Sequence, residues 1–177
     1  MIIQIWAAGN NQYNQLAIGN AKASSKFVET NDYKKINIKQ IAGGYWHVLV
    51  LTREGEINVI GKGENGQLGL GETDTKKSLT KLAFDDKIVK IATCNNSSFA
   101  VSSKGEVFAW GANEYLQISP EPSIIHSLKP ILIEDLKGKH IVTIKTGMYN
   151  VIVQTDQNEF FSWGYNESGQ CKDFSFY

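Results

Sequence analysis

The sequence predicts an all-β protein assembled from one supersecondary unit repeated along the chain. Three observations predict it: a glycine–glutamine pair recurring at near-constant spacing, short β-branched runs recurring with it, and no convincing helical periodicity. The glycines are Gly9, Gly61, Gly111 and Gly164, separated by 52, 50 and 53 residues, and Gln15, Gln67, Gln117 and Gln170 each follow six residues later. A second phase keeps those spacings, with Ile41, Ile91 and Ile144 in equivalent segments and Gly55, Gly105 and Asn158 in equivalent turns. Two independent phases with one spacing exclude a chance motif.

Within each unit the elements follow in a fixed order. Val48 to Leu51, Phe99 to Val101 and Val151 to Val153 are short apolar runs that read as the inner strands. Each leads into a turn whose third residue is Gly55, Gly105 or Asn158, the types that reach the positive φ of a tight hairpin. Ile57 to Ile60, Val107 to Trp110 and Phe160 to Trp163 return as the second strand of that hairpin. A glycine-rich turn and a variable connection follow, ending in a further strand such as Ile88 to Ile91. The best helical candidate, Pro130 to Leu136, also reads as a strand, and segments 20–35 and 119–129 have no counterpart in the other repeats.

Three or four short strands per ~50 residues are the content of one propeller blade. The expected fold is all-β, a partial β-propeller of about three blade equivalents of antiparallel strands, occupying residues 1–177 as a single incomplete domain with a period of 50–53. Natural propellers need about four blades to close. An open arc leaves apolar faces and unpaired edges, so a second copy or another protein chain is expected to complete or cap it. The 119–129 loop and the tail Phe174, Ser175, Phe176 and Tyr177 are the chain's own segments for covering an end.

Composition narrows the function classes. Lys+Arg and Asp+Glu are 18 each, a net charge of zero, without the basic field that holds phosphates, so nucleic acid is not an expected partner. Arg53 is the single arginine, which removes most bidentate recognition. The lysine-rich stretches are interleaved with acids and read as solvated loops. Cys94 and Cys171 form no Cys-x-x-Cys pair, and His47, His126 and His140 lack ligand spacing, so no metal site is expected. There is no apolar run of membrane length and no basic-then-apolar leader, which points to the cytoplasm or nucleus and away from membranes.

Gly61, Gly63 and Gly66 spell Gly-x-Gly-x-x-Gly, with Asp85 and Asp86 further on. A dinucleotide site needs a helix to start within that motif, and Gln67-Leu68-Gly69-Leu70-Gly71 is too glycine-rich for one, so no cofactor is expected. His47 aligns with Ser97 and Asn150, which hydrogen-bond but carry protons poorly at neutral pH. It therefore reads as structural, like Gly9, Gly61, Gly111 and Gly164, and no catalytic residue is expected. Tyr45 and Trp46, Asn95 and Asn96, and Met148 and Tyr149 occupy the bend before each inner strand, where side chains reach a propeller face. Tyr, Trp and Met are enriched at interface centres, which makes these six the candidate partner-binding residues.

Trp-Gly-x-Asn-x-x-Gly-Gln, as at Trp163 to Gln170, together with the Gly-Glu turn and Gly-x-x-His at Gly44 to His47, resembles the regulator of chromosome condensation repeat. The resemblance covers essentially the whole chain. The third repeat departs from it, with Leu116 in the place of Gly66, and Cys94 and Ser97 in those of Gly44 and His47. Family propellers close with seven blades, roughly twice the content present here. The founding member exchanges guanine nucleotide on the Ran GTPase, so the resemblance implies a small Ran-like GTPase as an alternative partner. Exchange there uses a wedge inserted in one blade, and neither 20–33 nor 119–129 reads as a two-stranded wedge. Plant ultraviolet photoreceptors of the family surround tryptophans with arginines, which Trp6, Trp46, Trp110 and Trp163 lack. The leading expectation is a non-catalytic protein–protein interaction module, an arc docking into a larger complex.

Overall fold

Runs of five to seven residues rich in Val, Ile, Leu and Phe, punctuated by glycine or asparagine at positive φ, fold as short antiparallel strands. A computed structural model describes residues 4–19, 22–30, 32–34 and 36–171. Its first strands are β1 (Trp6–Asn10), β2 (Ala23–Glu29), β3 (Ile38–Gly43), β4 (His47–Thr52), β5 (Ile57–Gly61) and β6 (Lys76–Leu82). They are followed by β7 (Ile88–Cys94), β8 (Ser97–Ser102), β9 (Val107–Ala112), β10 (His126–Leu132), β11 (Ile141–Thr146), β12 (Asn150–Thr155) and β13 (Phe160–Gly164). A 3-10 turn spans Glu134–Leu136.

Strands pair antiparallel with their neighbours in sequence, forming four meanders: β1-β2, β3 to β6, β7 to β10, and β11 to β13. Two full four-stranded blades thus stand between a two-stranded and a three-stranded sheet. Gly55, Gly105 and Asn158 turn the second strand into the third with φ of +92°, +80° and +63°.

Two expectations need correction. The innermost strands are β3, β7 and β11, which stand against one another, while the runs starting at His47, Ser97 and Asn150 are second strands. Segments 20–35 and 119–129 are not irregular insertions. The first holds β2, and the second holds the start of β10, the outer strand paired with β9. Pro130 to Leu136 divides into the end of β10 and the 3-10 turn. The tail 174–177 lies outside the described residues.

The core is laid down between successive sheets. Along β4, Val48 and Val50 pack toward the first sheet with Ala17, Tyr33 and Ile60. Leu49 and Leu51 point the other way, joining Ile57, Val59, Leu68, Ile91 and Trp110 between the second and third sheets. A third cluster, including Phe99, Val101, Ile144, Val153 and Trp163, joins the third and fourth sheets. Alternation along a strand normally separates core from solvent, but here both faces are core, so β4 and β8 are buried throughout.

Candidate protein-interaction face

Antiparallel order decides which loops share an end. The hairpin tips between first and second strands, 44–46, 95–96 and 147–149, lie with the loops that leave the third strands. The turns at 53–56 and 103–106 lie at the opposite end. Each loop is clipped to its own tip: Lys62, Ala112 and Tyr165 donate backbone N–H groups to the carbonyls of Trp46, Asn96 and Tyr149 at 2.9, 3.0 and 3.0 Å. The preceding Gly61, Gly111 and Gly164 have φ of +112°, +95° and +98°, and a Cβ there would collide with those same carbonyl oxygens. The recurring glutamines close the loops from within. Oε1 of Gln15, Gln67, Gln117 and Gln170 accepts from the N–H two residues earlier, at 3.0, 2.9, 2.7 and 3.0 Å.

Below the tips, His47 is fully buried and its Nε2 lies 2.8 Å from Ser98 Oγ. Ser98 donates its hydroxyl proton to the Gln67 carbonyl at 2.8 Å, so the histidine must be the donor, in its Nε2–H tautomer. Trp110 Nε1 donates to the same carbonyl at 3.0 Å, and Trp163 repeats this bond to the Gln117 carbonyl at 2.8 Å. Burial pushes the His47 pKa down to about 3, and burial raises the Cys94 thiol to about 12. Both groups are therefore held uncharged at neutral pH. Cys94 instead points its sulfur at the Met148 carbonyl, 3.1 Å away, tying the third sheet to the fourth tip.

The six candidate partner-binding residues all lie at the tip end. Tyr45 and Met148 are 60% and 62% exposed. Trp46 is half-buried, edge-on to Tyr45 at 4.7 Å and to Tyr13 at 5.5 Å between ring centres. Tyr149 meets Tyr115 at 4.4 Å and Tyr165 at 6.3 Å, and Tyr115 meets Tyr165 at 5.0 Å. Asn95 and Asn96 separate these two aromatic groups. Asn95 adopts φ +51°, and its carbonyl accepts from the Tyr45 N–H at 2.8 Å, linking adjacent tips. Sequence reasoning missed Tyr13, Tyr115 and Tyr165. The signal was available: Tyr13 and Tyr115 each stand four residues after the repeat glycine.

The Gly61 to Gly66 motif is a turn in a loop, closed by the Gly66 N–H on the Gly63 carbonyl at 2.8 Å, with Gly63 tight against the backbone of Asp74. Among the described residues, no three His, Cys, Asp or Glu side chains group to hold a metal ion. Nor is any helix there long and apolar enough to cross a membrane.

Sheets of this content, meandering outward from inner strands that face one another, define a partial β-propeller. Residues 38–67 and 104–153 each match the regulator of chromosome condensation (RCC1) repeat, and the chain is an arc of about three such repeats. It is 30% identical over 163 residues to the secretion-regulating guanine nucleotide exchange factor of Bos taurus, covering 90% of this chain and 35% of that protein. It is 27% identical over 177 residues to the E3 ubiquitin-protein ligase HERC2 of Homo sapiens, covering 96% of this chain and 4% of that one. Human WBSCR16 superposes with a TM-score of 0.79 at 29% identity, over 91% of this chain and 42% of that structure. Yeast RCC1 (Prp20), solved with Kap60 bound, superposes at 0.81 with 22% identity, over 96% and 42%. The chain therefore spans well under half the length of each.

Proposed function

We propose that this arc is a non-catalytic protein-interaction module that docks into a larger complex through its tip end. One observation carries the reading: exposed or half-buried aromatic and Met side chains from separate repeats converge there, while the nearby His47 is sealed and neutral. Both cysteines are free thiols, which suits the reducing cytoplasm or nucleus. The test is quantitative affinity capture with the wild-type chain, a Tyr45→Ala/Met148→Ala variant, and an Arg53→Ala/Glu54→Ala variant altered at the opposite end. Partners lost with the first variant and kept with the second support the reading; equal loss with both, or with neither, overturns it.

Guanine-nucleotide exchange on a small GTPase is the second reading, favoured by the 30% identity to the bovine exchange factor. Against it, the segment holding β2 is a blade strand and not a protruding wedge. Release of a fluorescent guanine nucleotide from a Ran-type GTPase separates the two. The interaction reading expects the intrinsic rate, and acceleration would transfer the assignment to exchange.

A further inference from the structure

The first aromatic cluster contains its own cation. Lys62 Nζ sits 5.2 Å from the ring centre of Tyr13 and 2.6 Å from Glu64 Oε2. An ammonium there is held by the negative face of a ring and by a carboxylate together. Two repeats later the same positions recur. Tyr115 corresponds to Tyr13, Tyr149 to Trp46 and Glu167 to Glu64, each at the same offset within its repeat. At the position of Lys62 stands Tyr165, whose hydroxyl donates to Glu167 Oε2 at 2.6 Å. The second cluster is the first with its cation replaced by a neutral phenol.

Among the described residues, the replacement leaves Glu167 without the cation that Glu64 has. The hydrogen bond to Glu167 raises the Tyr165 pKa, so the phenol stays protonated and contributes no positive charge. Among the described residues, neither Glu167 nor the exposed Glu114 beside Tyr115 forms a salt bridge. Among the described residues, the loops at this end carry Glu64, Glu72, Asp74, Glu114, Glu121 and Glu167 against Lys22 and Lys62, with Lys76 of β6 paired to Glu72. We infer that the Tyr115, Tyr149 and Tyr165 cluster, rimmed by Glu114 and Glu167, receives a lysine or arginine side chain from a partner protein. This rests on the interaction role proposed for the tip end and names the chemistry that end recognises. The three rings touch, at 4.4 to 6.3 Å between centres, so no slot opens between them. The cation seats on their outward side, with its N–H groups turned to the carboxylates. A quaternary ammonium has no N–H to donate and is the poorer ligand.

The test uses the full chain, labelled for amide NMR, titrated with an acetylated and amidated twelve-residue peptide of alternating Gly and Lys. Counterpart peptides carry Arg, trimethyl-lysine or Glu in place of Lys. Expected are shifts at residues 112–116, 149 and 165–167 with the Lys and Arg peptides. The trimethylated peptide should bind at least threefold more weakly, and the Glu peptide should produce no shifts. Tyr115→Leu and Glu167→Gln should each weaken binding at least fivefold, while Tyr115→Phe, which keeps the ring, should not. Peak dispersion in the same spectra reports whether each variant folds. Shifts confined to other acidic sites, unchanged affinity in a folded Tyr115→Leu/Glu167→Gln chain, or tighter binding of the trimethylated peptide would overturn the assignment. If these peptides fail while Tyr45→Ala/Met148→Ala still abolishes capture, the interaction role stands and the cation site falls.

Discussion

His47 uses its Nε2–H on Ser98, and its buried Nδ1 has no partner among the described residues. Protonation would bury a charge with nothing to balance it, which is why its pKa falls to about 3 from an ordinary 6.5. The unfolded chain takes up that proton below about pH 6.5 and the folded chain does not until about pH 3. Stability contributed by the neutral ring is therefore complete above pH 6.5 and declines as pH falls toward 3, by up to about 1.4 kcal/mol per pH unit. Urea melts from pH 7.5 to 4.5 should show this slope in the wild type and not in His47→Asn, which should itself be less stable at pH 7. Gly61 gives a sharper case. Gly61→Ala drives a methyl into the Trp46 carbonyl at a backbone φ of +112°, and a loss of more than about 3 kcal/mol is expected. Gly9→Ala has the same sign of φ and open space, so it should cost only about 1–2 kcal/mol. Equal denaturation midpoints for the two variants would contradict this account.

Among the elements, the second and third strands were legible because in the two four-stranded sheets both their faces are core, giving largely apolar runs that end or turn at glycine or asparagine and that repeat in the last sheet. The outer strands were not. β2, β6 and β10 carry Lys26, Lys76, Lys77, Lys81, Lys129 and Pro130, and their pairing is broken by register shifts. These features keep an edge from recruiting another strand, and they erase the alternation by which a strand is recognised in sequence. The candidate site was half legible for a related reason. The tip residues share one repeat position and could be found by alignment, whereas Tyr13 and Tyr115, which pack on Trp46 and Tyr149, come from loops of the preceding repeats. One bond between sheets can be weighed directly. Trp110→Phe keeps most of the ring volume and deletes the N–H donated to the Gln67 carbonyl, so about 1–2 kcal/mol should be lost in a chemical melt. No measurable change would mean the bond to Ser98 alone satisfies that carbonyl.

At the scale of the whole molecule, the arc has two unlike ends. On the first sheet, Trp6 and Phe27 are 54% and 74% exposed. On the last sheet, the side away from the third sheet carries Ile152 and Phe160, 37% and 43% exposed, beside the half-buried Gln154, so its apolar side chains are less exposed than those of the first sheet. Self-association of this chain should therefore run through the first sheet, and light scattering at tens of micromolar should show a mass above one protomer. Trp6→Ser/Phe27→Ser should return it to one protomer; a wild-type chain that is monomeric and melts cooperatively would contradict this. The tryptophan bonds add an asymmetry of their own. Trp110 and Trp163 fasten the third sheet to the second and the fourth to the third, but Ile60 holds the equivalent position in the second sheet and has no proton to give Gln15. Among the described residues, that joint also encloses five buried apolar residues, against ten and fourteen at the others. A row of links in series fails where it is thinnest, so β1 and β2 should peel away as a flap while the remaining sheets stay closed. Amide exchange should be fastest there, and no variant that tightens only the later joints should slow it.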